Sequence, residues 1–398
     1  MRLHLLGHLA AHTLPRVSMK DRAGVSLVLK AFRISVCAAA VLAFIDSRAH
    51  AETIGLVMTS WHVEGTFTKD GKAECPNGFN PTLEENFKAQ FKTKEEQDAI
   101  IKKYGSTQWH YRGPNGESDN NSPELIHDPL PHPEPVSTAS DGVNLDGTQD
   151  GRATDKTCKH DKFTSADGEA VDNQFYRVTG CVKSFRPQGT FDGFITNEIP
   201  ALQVNRWLIE IKGVDSRVND DHVDIMIAHG LDELVADGNN GFVAGRSQRV
   251  DEGSASFITH TTGRIVNGVL ITDSMPEFRM TGSGLVEVGE RRFMDARFKL
   301  KLTPNGATGV LAGYSDIHRL WRFYAKTIGL HAIASVISPP SIYHSIVRNA
   351  DGYKDPATGQ CTAISQVYAV GFVNANIVRD SSSTDVASAI SKGAGVVR

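Results

Sequence analysis

Seven aspartates fall between Asp141 and Cys181, at 141, 146, 150, 155, 161, 167 and 172, joined by Glu169, and a glycine directly follows four of them, at 142, 147, 151 and 168. Carboxylates this dense repel one another unless solvent or a cation intervenes, and Asp-Gly steps turn the chain so that side-chain and carbonyl oxygens converge. The chemistry expected is coordination of a hard cation, calcium. Asn144, Asp146 and Asp150 would supply oxygens from one side, with Asp167 and Asp172 completing the site from the far side of the loop. The competing expectation is a run of solvated turns in which Asp and Gly serve geometry alone.

Asn144-x-Asp146-Gly147-x-x-Asp150-Gly151 resembles one unit of the Asp/Gly-rich calcium loops of dockerin-type and thrombospondin type 3 repeats, over about ten residues. That resemblance implies oxygen ligands from Asn144, Asp146 and Asp150 together with backbone carbonyls. The stretch departs from the pattern in three ways: Gly142 stands where the first Asp belongs, Ala153 where the bidentate acid belongs, and there is no tandem repeat.

A second acidic group, Asp215, Asp220, Asp221 and Asp224, reads as a strand turn. Its alternative chemistry is glycoside hydrolysis by paired carboxylates, Asp220 and Asp224, which need a separation of roughly 5 to 9 Å. Nucleophile and cofactor signatures are missing: no Gly-x-Ser-x-Gly elbow, no His-Glu-x-x-His, no P-loop and no Gly-x-Gly-x-x-Gly after a strand. His229 and His260, and likewise His318, His331 and His344, are expected mainly as packing residues.

The elements that position these residues follow from composition and period. Lys30 and Arg33 lead into the apolar run 34–45, and Ala49-His50-Ala51 is a small-x-small step, so residues 1–51 read as a secretory signal with Met19 as an alternative start. The run is too short to span a bilayer. Residues 1–51 carry seven basic and two acidic residues, so the remainder stands at −9 against −4 for the whole chain. With no Lys/Arg cluster, nucleic acid is set aside as a partner. Beyond Cys37, four cysteines remain, at 75, 158, 181 and 361. In an exported chain these imply disulfides, and the loop-bracketing pair Cys158–Cys181 is the expected one.

Residues 52–104 read as a strand followed by a small helical lobe, in which Thr82-x-x-Glu85 and Thr93-x-x-Glu96 form capping boxes. Six prolines make 105–140 a linker or surface strap, on which Trp109, His110 and Tyr111 serve to pin it. Residues 182–379 form a β-rich domain: Val, Ile, Phe and Thr segments alternate with Gly and Asn turns, most clearly at Arg297-Phe298-Lys299-Leu300-Lys301-Leu302. Within it lies a helical excursion, 316–349, where Ile317, Leu320, Trp321, Tyr324 and Ile328 recur at helical spacing behind Ser315 or Asp316 as N-cap. Residues 380–398 read as a tail. The expected architecture is a mainly β, antiparallel sandwich or jelly roll. The expected function is that of an exported, periplasmic or secreted, calcium-stabilised protein with a binding or structural role toward an envelope ligand, the alternative being a secreted hydrolase.

Overall fold

The computed structural model describes residues 51–104, 113–193, 199, 202, 205–239, 241–283, 288–328 and 338–379. The expected signal (1–51), the Trp109-His110-Tyr111 patch, His331 and the tail 380–398 lie outside these residues, except for Ala51.

Strand β1 (Glu52–Val63) closes the fold because both of its edges are paired. On one side it runs antiparallel to β4 (Trp207–Val214), with Leu56 opposite Ile209. On the other it pairs with the last long strand, β13 (Cys361–Val378), with Leu56 opposite Asn374. Between them the order continues β4, β5 (Asp220–His229), β7 (Thr259–Val266), β8 (Val269–Thr272), β10 (Val288–Thr303), β11 (Gly306–Asp316), β13. The result is an eight-stranded antiparallel closed barrel, a correction to the expected sandwich or jelly roll. Alternation along each strand is the same in either architecture; what separates them is the pairing of β1 with β13, which lie some three hundred residues apart in the chain and whose meeting leaves no edge to protect. The same pairing moves β1 from the expected N-terminal lobe into the barrel wall.

Accessory strands decorate this wall: β9 (Met275–Ser283) continues β8 along β10, β6 (Arg246–Arg249) lies parallel to the end of β13, and β12 (Gly352–Lys354) pairs its start. A separate two-stranded hairpin, β2 (Phe163–Thr164) with β3 (Ala170–Val171), sits in the acidic segment.

Period-two alternation fills the lumen. On β10, Ala296, Phe298 and Leu300 are buried, and they join Leu56, Ile209, Ile225, Leu311 and Tyr368 in one core. Arg297, Lys299 and Lys301 occupy the alternate, outward positions. An apolar lumen with charges outward is the inverse of the pattern of a barrel that faces lipid.

One end of the barrel is stoppered by helices. Ile317–Ile328 presents Leu320, Phe323 and Tyr324 inward and leaves His318, Arg319 and Arg322 exposed, and the Asp316 carboxylate caps it by accepting the Arg319 amide at 2.9 Å. Tyr324 stacks on Phe175 of the helix Gln174–Thr179 at 5.9 Å between centroids, and Phe175 reaches Tyr368 of the lumen at 6.4 Å. Such aromatic pairs each contribute about 0.5–1.5 kcal/mol beyond area burial. The capping boxes form as expected at Thr82/Glu85 and Thr93/Glu96.

The strap from residue 113 onward is pinned to this stopper. The Trp321 indole donates to the Asn120 carbonyl at 2.9 Å, His132 contacts the Val178 carbonyl at 2.7 Å and His344 the Ile126 carbonyl at 2.8 Å.

The cysteines pair as Cys75–Cys181 and Cys158–Cys361, a correction to the expected Cys158–Cys181. Between 158 and 181 the chain is taken up by the β2–β3 hairpin and a buried helix, which carry Cys181 toward the N-terminal lobe and leave Cys158 beside the start of β13. The two bridges close separations of 106 and 203 residues.

Candidate functional site

The acidic segment lies on the outer face of β10, β11 and β13. Val143 and Leu145 pack against Val310, Ala312 and Val367, which are the outward residues of their strands. The outward cations of β10 hold the acids: the Lys299 ammonium contacts Asp167 at 2.8 Å and Glu169 at 3.1 Å, and the Arg297 guanidinium donates to the Asn144 carbonyl at 3.2 Å.

Local turn chemistry sets the loop. Asn144 Oδ1 accepts the Gly147 amide at 2.9 Å and Asp146 Oδ1 the Thr148 amide at 2.7 Å, with Gly147 at φ 74°. Gly151, at φ 64°, allows its carbonyl to accept the His160 amide at 2.9 Å; a Cβ there would stand 2.0 Å from the His160 carbonyl oxygen. That contact brings His160 and Lys162 back under the first turn.

Asp146, His160 and Asp172 converge so that their ligating atoms lie within 4.8 Å of one another. The Asp172 carboxylate is fully buried. Its Oδ1 takes the Lys162 ammonium at 2.6 Å and His160 Nε2 at 2.7 Å, and its Oδ2 takes the Leu145 amide at 2.7 Å. Lys162 also reaches Asp146 Oδ1 at 2.5 Å and Asn144 Oδ1 at 3.3 Å. His160 Nδ1 lies 2.9 Å from the Cys158 carbonyl, which can only accept, so the proton on that nitrogen is assigned.

Asp351 enters from the far end of the chain. It is fully buried, its Oδ1 accepts the Ser365 amide at 2.7 Å, and its Oδ2 has no hydrogen-bond partner among the described residues while facing His160 Nε2 at 3.9 Å. Beside it the buried Tyr314 hydroxyl also lacks a hydrogen-bond partner among the described residues.

The electrostatics follow from burial and pairing. Burial alone would raise Asp172, but the hydrogen bonds from His160 and Lys162 hold it below the usual carboxylate range. Burial would lower His160, but the Asp172 hydrogen bond and the neighbouring carboxylates carry it up to about 9. Asp351 is pushed up to about 7 by desolvation, which the nearby His160 offsets only in part. Burial first, then the surrounding carboxylates, push the Tyr314 phenol upward.

Of the five expected ligands, Asn144, Asp146 and Asp172 come together, around Lys162 Nζ and His160. Asp150 and Asp167 do not join them. The Asp150 side chain is exposed and caps the Arg152 amide at 3.2 Å, and Asp167, bonded to Lys299 and Ser165, is held down to about 2. Calcium coordination takes six to eight oxygens, and here an ammonium fills the space between the two aspartates. The arrangement as it stands therefore does not indicate calcium.

The other candidates are distributed widely. Asp220 caps its own turn, accepting the Asp215 amide at 2.7 Å and the His222 amide at 3.1 Å, while Asp224 is exposed and lies 3.5 Å from His222. His229 is buried against Trp207, ring centroids 4.0 Å apart, with Nε2 2.8 Å from the Thr281 hydroxyl, whereas His260 is exposed. His318 is exposed and His344 is tied to the strap. Near His229 the core leaves a small recess of about 30 Å3, lined by Trp61, Trp207, Met280, Arg291 and Phe323. An open groove runs over the outer face of the helix Ile317–Ile328, lined by Asn120, Asn121, Arg292, His318, Arg319 and Arg322.

Sequence reasoning missed His160, Lys162, Asp351 and Tyr314. The first two were legible as a His-x-Lys step inside the acidic run. Nothing local marks Asp351 or Tyr314: Tyr314 reaches the cluster through the pairing of β11 with β13, and Asp351 through the pairing of β12 with β13. No family model, no curated protein and no solved structure matches this chain.

Proposed function

We propose that the protein is exported and has a binding role, its ligand an anionic polymer of the cell envelope engaged at the open groove over the helix Ile317–Ile328. One observation carries this reading: Arg319 and Arg322 stand exposed on that groove and make no ion pair among the described residues, although the chain beyond residue 51 is mildly acidic. Arg292, in the same groove, is by contrast tied to Glu290 at 3.0 Å and Glu277 at 3.3 Å. Unpaired arginines beside Trp321 and a pair of asparagines offer planar, bidentate donors for carboxylate or sulfate. The two disulfides support an oxidising destination. The filled lumen and the turn-locked Asp220 support binding rather than hydrolysis.

The test is titration of the exported protein with polygalacturonate and with heparin at low salt, repeated with Arg319→Glu/Arg322→Glu. Binding that weakens with salt and is lost in the double variant supports the reading. No binding, or binding indifferent to the two charge reversals, overturns it and leaves a structural role.

A further inference from the structure

We infer that His160, Asp146, Asp351 and Asp172 form a closed structural site for a first-row divalent metal of the zinc class, separate from the oxygen-only calcium loop that the Asp-Gly turns suggest. Three observations point to a ligand. His160 is oriented as a metal-bound imidazole is: Nδ1 donates to the Cys158 carbonyl at 2.9 Å, which turns Nε2 into the cluster, where its proton is held by Asp172 Oδ1 at 2.7 Å until a metal replaces it. Asp351 Oδ2, on a fully buried side chain, faces that nitrogen at 3.9 Å and has no hydrogen-bond partner among the described residues. Asp146 Oδ2 faces the same nitrogen at 3.7 Å. Ligand atoms around a tetrahedral zinc with bonds of about 2.0–2.1 Å stand roughly 3.3–3.4 Å apart, so Asp146, His160 and Asp172, whose ligand atoms already lie within 4.8 Å of one another, draw together and the Asp351 carboxylate, outside that group, swings in to complete the set.

Asp172 Oδ1, now hydrogen-bonded to Nε2 at 2.7 Å, supplies the fourth ligand once the ring nitrogen binds metal instead of a proton. Lys162 now holds Asp172 Oδ1 at 2.6 Å and gives up that oxygen when the metal binds it, while keeping Asp146. It bonds Asp146 through Oδ1, the oxygen turned from His160, and so holds the carboxylate with Oδ2 presented to the metal. It also offsets part of the charge of three carboxylates. One nitrogen and three carboxylate oxygens suit zinc or its neighbours and are a poor set for calcium. With every ligand buried there is no open position for substrate, so the role is structural: one ion joins the first turn (Asp146), the returning strand (His160), the hairpin exit (Asp172) and the barrel wall (Asp351).

The experiment uses the full chain expressed for export, so that both disulfides form, stripped with chelator and dialysed against zinc, against cobalt(II) and against calcium. The expected result is about one zinc per chain, a higher melting temperature with zinc than with calcium, and a tetrahedral cobalt absorption band. Zinc affinity should fall at least about tenfold in Asp351→Asn and in His160→Gln, and stay unchanged in Asp150→Asn. Should either ligand variant fold poorly, the cobalt band of the parent still decides the coordination. No zinc uptake, uptake indifferent to Asp351→Asn and His160→Gln, or calcium uptake that depends on Asp150 overturns the proposal.

Discussion

The Lys162 ammonium lies 2.6 Å from the Asp172 carboxylate, and both side chains are almost wholly withdrawn from solvent. A buried pair of this kind adds modest net stability, because desolvation offsets most of the attraction, but removing one partner leaves an uncompensated charge. Lys162→Met in chelator should therefore cost about 3–5 kcal/mol in urea denaturation. A loss below 1 kcal/mol would mean that Asp146 and Asp172 find another counter-charge.

The seven aspartates of the acidic segment differ sharply in consequence. Asp172→Asn should be severely destabilising, since it receives bonds from Lys162, His160 and the Leu145 amide at once. Asp150→Asn, at an exposed turn, should change stability by no more than about 0.5 kcal/mol. Equal effects of the two substitutions would show that the acids act collectively, as solvated turns.

Cys158–Cys361 ties the acidic segment to the first residue of β13. Closing so long a loop contributes up to about 5 kcal/mol in the chain-entropy model. The double variant Cys158→Ser/Cys361→Ser should lose several kcal/mol and should show early amide exchange across 141–172, while the lumen strands exchange late. Uniform exchange would place the bridge within the global folding unit instead.

Two buried histidines make stability depend on pH. Burial holds His132 and His229 down to about 4, against an unfolded value of about 6.5. Between those values the unfolded chain binds protons that the folded chain refuses. Their contribution is thus fully present above pH 6.5 and is lost as pH falls toward 4, by about 3 kcal/mol for each. His132→Gln and His229→Gln should each give a flatter stability curve across that window than the parent, measured by denaturant midpoints. A parent-like slope in both variants would exclude these two groups as its source.

The acidic segment shows how far local reading extends. The Asn144 and Asp146 turns form as Asp/Gly chemistry dictates, and their oxygens do converge with Asp172. The alternation at 297–302 was legible too, and its basic face turns out to grip the acidic loop through Lys299 and Arg297. The same holds for the helix behind Asp316. His160 and Lys162 stood in view as a His-x-Lys step, but their meeting with the aspartates was not legible, because it runs through the close approach at Gly151, and Asp351 joins them through β13.

By itself the sequence determined the quantities that neighbours in the chain settle: the capping boxes, the amphipathic stopper helix, the strand alternation and the turn geometry of the acidic loop. Each depends on contacts within a few residues, where period and side-chain chemistry leave little choice. Only the tertiary structure decided that the strands close into a barrel, that Cys158 bonds Cys361 and not Cys181, and that the acids gather around Lys162 and His160 beneath Asp351. Those outcomes depend on which distant segments meet. Alternation says which face of a strand is buried, but it carries no record of which other strand lies beside it.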